Sequence, residues 1–462
     1  MNLVVIGSGP GGYVAALKAA QLGAAVTVVE REEVGGTCLN WGCIPTKALI
    51  ASAEALAQAR RLADFGINVN GSLAADLPAI MERKNKIVAT QIKGIRALFK
   101  SWNISLLSGH ASLLDSKTVE VSRSEGTQEL LRADRVIIAT GSRPAELPMF
   151  PFDGAKILSS NDAVNLSELP ASFIIIGAGV IGCEFAFILR ELGADVTIVE
   201  AMPRAVLSED AEIAEILEKE LKKRKIKLIT SAKVTGVATT ESSVEVVLDG
   251  DRKLAAEKVL VSVGRSYNTE HLGLESLGIA RGPRGEILVN EKMETSVSGI
   301  YAVGDVIGGM LLAHVASKEG IVAAKNACGI SAAIDYRVVP AGIFTAPEIG
   351  SVGLREHQAQ KQGIPYTVGR FPMRGLGKAH AMGEIAGLFK IIAHAETDHI
   401  LGVHIIGPHA SDLIHEGALA LQAGITAQAL AAMIHAHPTL SEGIMEAAED
   451  IRGTAIHLPK KN

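Results

Sequence analysis

The chain has 462 residues, 48% of them hydrophobic and 21% charged, with a formal net charge of −5. That length exceeds what one hydrophobic core supports, so three or more lobes are expected. The mild negative charge and 4% aromatic content supply neither a basic face nor a stacking platform, so no nucleic acid and no membrane is expected as partner.

The chain opens on the strand-like run Leu3 to Ile6 with no basic leader or cleavage site, which predicts a cytoplasmic protein. Leu3 to Glu30 reads LVVIGSGPGGYVAALKAAQLGAAVTVVE: an apolar run, a glycine turn, a helix-period segment, then a second apolar run ending in Glu. This order predicts a β-α-β unit. The unit recurs at Phe173 to Glu200, FIIIGAGVIGCEFAFILRELGADVTIVE. Displaced by 170 positions, Gly7, Gly9, Gly12, Gly23, Val26 and Glu30 fall on Gly177, Gly179, Gly182, Gly193, Val196 and Glu200. The second copy contains the most apolar stretch, Phe173 to Leu189, but its three glycines and Glu184 favour strand, turn and helix over a membrane span.

In such a unit the first glycine permits a tight turn and the second lets backbone approach a pyrophosphate. The third lets helix pack on strand. The phosphates meet the helix N-terminus, and the terminal acid hydrogen-bonds a ribose hydroxyl. A lone glycine triplet is weak evidence; two copies with Glu30 and Glu200 in place point to two bound dinucleotides. Hydride passing between them indicates one flavin and one nicotinamide. Both acids disfavour a 2′-phosphate, so the cofactors expected are FAD and NAD. Arg204, close after Glu200, reads as a solvated loop charge.

Between the two units lies GGTCLNWGCIPTK, Gly35 to Lys47, with two of the four cysteines. Cys38 and Cys43 are five apart, which matches neither zinc nor thioredoxin spacing, and no metal site is expected. In an ideal helix their Cα atoms would be roughly 8.6 Å apart. A disulfide wants about 4.4–6.8 Å. The pair closes only if the segment is distorted, which Gly42 and Pro45 suit; a bent, accessible disulfide is the redox-labile kind. The alternative is two buried thiols in a helix. Cys183 and Cys328 read as small buried hydrophobes.

The segment GGTCLNWGCIPTK resembles the redox-active disulfide motif of the pyridine nucleotide-disulfide oxidoreductases, most closely the dihydrolipoyl dehydrogenase branch. Further landmarks follow along essentially the whole chain: Ala139 to Ser142, Val263 to Arg265, Tyr301 to Asp305, Leu312 to His314, and His435-Ala436-His437-Pro438-Thr439-Leu440-Ser441-Glu442. The resemblance implies an α/β fold with two Rossmann-like dinucleotide-binding domains and a C-terminal α+β dimerisation domain. It places an FAD-binding domain at 1–145, an NAD-binding domain at 146–267, a central segment completing the FAD site at 268–336 and the dimerisation domain at 337–462. It implies oxidation of protein-bound dihydrolipoyl groups, with electrons passing through the cysteine pair and FAD to NAD⁺.

By the same resemblance Cys38 is the interchange thiol and Cys43 the thiolate against the flavin. Lys47 lies against the flavin and pairs with Glu184, although on residues alone Glu184 is equally a polar residue in a helix. Cofactor contacts are implied for Gly36, Thr37, Ala111, Thr140, Gly141, Ser142, Val234, Gly264, Asp305, Ala313 and His314. His437 is the acid–base group, oriented by Glu442, and His435 is structural. The chemistry needs such a base, because a dithiol is a poor nucleophile until deprotonated. The implied assembly is a homodimer in which His437 serves the partner's flavin. The implied partners are lipoyl domains of 2-oxo acid dehydrogenase acyltransferases or a glycine cleavage carrier protein.

Tyr267 departs from the family's pattern, which often has Pro there, and bears on the geometry of the nicotinamide lobe. Two alternatives are a reductase of another disulfide, glutathione reductase-like, and a non-catalytic flavin redox sensor. Against the first stands the Ile44-Pro45-Thr46-Lys47 ending; against the second, a sensor would need neither His437 nor Glu442.

Overall fold

Each glycine-turn repeat folds as a parallel β-α-β unit in the computed structural model, which describes residues 1–123 and 125–460. Residues 461 and 462, the end of the expected C-terminal lobe, lie outside the described residues. The first unit is β1 (Asn2–Ile6), α1 (Pro10–Gln21) and β2 (Ala25–Glu30). It is followed by the short helix α2 (Gly36–Asn40) and by α3 (Cys43–Arg60). The second unit is β3 (Ser172–Ile176), α4 (Val180–Leu192) and β4 (Asp195–Val199). Asn2 pairs with Ala25 and Ser172 with Asp195, so the register is the same in both copies.

The duplication extends further in space than in sequence. The first unit's parallel sheet runs Ile300–Ala302, Arg135–Ile138, β1, β2, Ser105–Ser108. The second runs Ile157–Leu158, Lys258–Val261, β3, β4, Lys227–Ile229, also parallel. Each lobe adds a three-stranded antiparallel sheet before the strand that returns beside the first. Both parallel sheets are buried on two faces: Leu3 and Val5 pack in one core and Val4 and Ile6 in another. Phe173 and Ile175 are likewise separated from Ile174 and Ile176. Covering both faces is what parallel strands require, and it explains their unbroken apolar runs.

The C-terminal lobe is a five-stranded antiparallel sheet, in the order Ala341–Ile343, Glu348–Gly353, Ile400–Gly407, Leu388–His394, Tyr366–Pro372. With the helices on it, this gives the α/β fold of two Rossmann-like lobes and an α+β lobe. At Tyr267 the strand Arg265–Tyr267 pairs regularly with Ser142–Pro144, Tyr267 opposite Ser142, so the substitution leaves an ordinary ribbon. Among the described residues no helix is long and apolar enough to cross a membrane.

Helix α5 (Ala313–Ala327) crosses α1 at a glycine contact. A Cβ on Gly320 would lie 2.4 Å from the Gly11 carbonyl oxygen, and one on Gly11 3.0 Å from Val303. The crossing brings both helix N-termini to one cleft. Cys183 is fully buried as expected, whereas Cys328 is only half-buried, because it caps the C-terminus of α5 rather than packing inside it. Gly320→Ala should force the two helices apart and cost about 1–3 kcal/mol; urea unfolding should show a lower midpoint than the parent.

Candidate active site

The three lobes enclose a continuous cleft of about 1490 Å³. The two glycine turns enter it in matching ways. Gly12 and Gly182 do not line the cleft; a Cβ on either would lie 2.0 Å from the carbonyl oxygen of Gly7 or Gly177, so they serve helix–strand packing. Gly9 and Gly179 do line it. Their φ angles, −63° and −72°, suit any residue. A Cβ on Gly179 would meet no protein atom within 4 Å, and one on Gly9 nothing nearer than Gly36 Cα at 4.0 Å. Neither backbone strain nor protein packing therefore calls for glycine here; the space is left for a ligand.

The acids at the strand ends are pinned alike. Glu30 accepts from the N–H groups of Ser8 (2.8 Å) and Glu32 (2.9 Å). Glu200 accepts from those of Ala178 (2.6 Å) and Met202 (2.8 Å). No side chain caps α1 or α4, so both first turns are free to meet an anion. These are two pyrophosphate cradles, each with a fixed acceptor for a ribose diol, and they fit FAD and NAD. Arg204 is not simply solvated: it donates to the carbonyls of Leu207 (3.1 Å) and Glu209 (2.8 Å) and is absent from the cleft lining.

Cys38 sits in α2 and Cys43 begins α3, with Trp41 and Gly42 breaking the helix between them. Gly42 is where the break must fall, since a Cβ there would lie 2.9 Å from the Thr37 carbonyl oxygen. The expected distortion is thus present, and the ideal-helix separation does not apply. Both cysteines are free thiols, with Cys43 open to the cleft. The hydrogen bond between them divides their acidities. It pushes Cys38 up, helped by burial, and lowers Cys43 to about 7 against burial, with the Lys47 charge assisting.

Lys47 Nζ donates to both oxygens of Glu184 at 3.0 Å. Glu184 also accepts from the Phe344 N–H at 3.0 Å, and the ammonium lies 4.3 Å from the Phe344 ring centroid. Phe344 gave no signal in the sequence; only the fold brings it here. Arg265, noted only as a landmark, donates to Ser142 Oγ at 2.6 Å, and the same hydroxyl donates to Asp305 in a short bond. Gly36, Thr37, Ala111, Thr140, Gly141, Val234, Gly264, Ala313 and His314 all line the cleft, with His314 bonded to the Pro340 carbonyl at 2.8 Å.

Two further expected site residues also lie away from the cleft. His437 Nδ1 bonds Glu442 at 2.9 Å, but neither residue lines the cleft, and the imidazole is 77% exposed. Burial works against the Glu442 carboxylate, yet the Thr439 N–H (2.8 Å) and the His437 ring hold it below the usual range. His435 is buried and bonded to Glu416 at 2.8 Å, as a structural histidine should be.

Residues 1–320 match the pyridine nucleotide-disulphide oxidoreductase family and residues 339–448 its dimerisation domain. A dihydrolipoyl dehydrogenase of Chlamydia muridarum is 43% identical over 460 residues, covering 99% of this chain and 98% of its own. One of Bacillus subtilis is 43% identical over 470 residues, covering 99% of each. The solved structure of LpdA from Mycobacterium tuberculosis superposes with a TM-score of 0.91 at 32% identity, over 97% of this chain and 99% of that one.

In the two-thiol form, the Cys43 thiolate fraction should rise with pH through a midpoint near 7. Lys47→Met removes the cation and should move that midpoint upward, read from the pH dependence of alkylation at Cys43.

Proposed function

The chain belongs to the pyridine nucleotide-disulphide oxidoreductases, and from that membership we propose that it acts as a dihydrolipoyl dehydrogenase. It oxidises protein-bound dihydrolipoyl groups to the disulfide, with NAD⁺ as electron acceptor. The observation that carries the reading is the Cys43 thiol, drawn down to about 7 beside Lys47, in a cleft with two nucleotide cradles. Residues 1–145 hold FAD, 146–267 hold NAD, 268–336 close the flavin site and 337–462 pair the subunits.

In turnover, His437 takes the proton from a substrate thiol, and Glu442 holds the ring and stabilises its charged form. The substrate thiolate attacks Cys38 of the Cys38–Cys43 disulfide. That bond breaks, a mixed disulfide forms, and Cys43 leaves as a thiolate next to Lys47. The second substrate thiol, deprotonated in turn, attacks the substrate sulfur and releases Cys38. Bound FAD and NAD⁺ supply the two-electron path from the cysteine pair. Per cycle a dithiol and NAD⁺ become a disulfide, NADH and one proton.

The difference between the two cysteines serves this order of events. With Cys38 bonded to the substrate sulfur, it is the Lys47 charge, fixed by Glu184, that supports the negative charge left on Cys43. The substrates are lipoyl domains of 2-oxo acid dehydrogenase acyltransferases or a glycine cleavage carrier protein. Purified protein should oxidise dihydrolipoamide with NAD⁺ much faster than it reduces glutathione disulfide with either nicotinamide; the reverse order would overturn the proposal.

NAD⁺ should be preferred to NADP⁺, because Glu200 repels a 2′-phosphate and Arg204 is turned to its own loop. Glu200→Ala should narrow the preference roughly tenfold or more, measured as the ratio of kcat/KM values. The working unit is a homodimer in which His437 reaches the partner's cleft. Support comes from its outward exposure and from its place within the matched dimerisation domain. Subunits carrying Cys38→Ser and subunits carrying His437→Ala should be nearly inactive alone. Mixed dimers should recover roughly half of parental activity, since one of the two sites is then intact; mixed dimers as inactive as their parents would place His437 outside the partner's site.

A further inference from the structure

We propose that Glu319 is the positioning residue that fixes the flavin seat and its reduction potential, by tying the Asp305 loop to helix α5. Glu319 does not line the cleft; it stands behind the residues that do. Its side chain is 3% exposed. One carboxylate oxygen accepts the Gly304 N–H at 2.7 Å, and the other accepts the Tyr336 hydroxyl at 2.7 Å.

The placement matters because two separate parts of the flavin site meet there. Gly304 precedes Asp305, whose carboxylate reaches into the cleft beside Ser142 and Arg265. Helix α5 presents its first turn, Ala313 and His314, to the same cleft with no side-chain cap. Glu319 lies about 9 Å along that helix from Ala313, by the standard rise. The segment from Asp305 to Ala313 finishes a 3-10 turn, Gly304–Ile307, and then runs as an irregular connection with glycine-favouring or extended breaks at Gly308, Gly309 and Leu312. Its two ends are held at one spacing by this carboxylate, and Tyr336 anchors the carboxylate from the segment leading to the C-terminal lobe.

Both oxygens of the group accept hydrogen bonds, the pattern of a carboxylate. Its two donors are neutral, and among the described residues no cation forms an ion pair with it. Burial pushes the Glu319 carboxyl up and the nearby Asp305 adds to the push, against the two hydrogen bonds. A buried anion behind the seat opposes the electron density that reduction places on the flavin, while the α5 N-terminus favours it. The two together set the balance. This inference rests on the FAD reading of the cleft given above.

The test uses the full-length dimer purified with its flavin, with Glu319→Gln, Glu319→Ala and Tyr336→Phe. Flavin release in mild chaotrope is followed by fluorescence, the potential by equilibration with a reference dye, and folding by thermal midpoint. Glu319→Ala should release FAD roughly tenfold faster or more. Glu319→Gln keeps the shape but not the charge, and should shift the flavin potential positive with an unchanged thermal midpoint. Tyr336→Phe keeps the carboxylate but removes one of its two tethers, and should speed FAD release by less than Glu319→Ala. Variants whose release and potential both match the parent overturn the inference, as does faster release that only tracks a lower thermal midpoint with the potential unmoved. A parent that folds without taking up FAD would instead sink the function proposed above.

Discussion

The hydrogen-bonded ion pair between Lys47 and Glu184 is the constraint on which the rest of the cleft depends. Lys47 comes from the first lobe, Glu184 from the second, and the Phe344 N–H that completes the carboxylate from the third. Glu184 is 4% exposed, so its charge is tolerable only while those partners stay in place. A pair in which the carboxylate is buried and the ammonium half-buried contributes little net stability, and removing the cation costs more than the pair gains because it strands a buried charge. Its value is therefore geometric. It requires α3, α4 and the start of the third lobe to stand in one arrangement, and that arrangement puts an ammonium beside Cys43.

That ammonium adds to the inequality of the cysteines, whose larger cause is the hydrogen bond between them. One hydrogen bond between two thiols is symmetric in composition but not in effect, since the donor becomes harder to ionise and the acceptor easier. The nearby cation and the start of α3 both favour charge on Cys43. The break at Gly42 lets the pair adjoin at all. A continuous helix through residues 36–60 would carry the same two side chains and no usable site.

Much of this was legible in the sequence, and the limits have physical reasons. The β-α-β repeat was readable because its signal is local: apolar runs, glycine spacing and terminal acid all lie within 28 residues. The cysteine segment was readable because its distortion is encoded by Gly42 in place. The partners of Glu184 were not, since Phe344 contributes a backbone N–H that any residue carries. Arg265 stood in a landmark without a role, because its partner hydroxyl is 123 positions away. Arg204 illustrates the opposite error. An arginine in a loop looks free until the loop curls back to offer it carbonyls.

The glycine crossing of α1 and α5 separates the two copies of the repeat. Gly11 corresponds, 170 positions on, to Ile181, and the difference decides what each lobe admits. In the first copy the bare backbone lets a second helix lie against the first, so two helix N-termini, at Pro10 and Ala313, open on one cleft. In the second copy the isoleucine side chain lines the cleft, and the helix that lies against α4 is α3, which brings Lys47 to Glu184. One duplicated frame thereby yields two unlike seats: the first cradle shares its cleft with two helix N-termini, and the second with the ion pair that joins it to the cysteine segment.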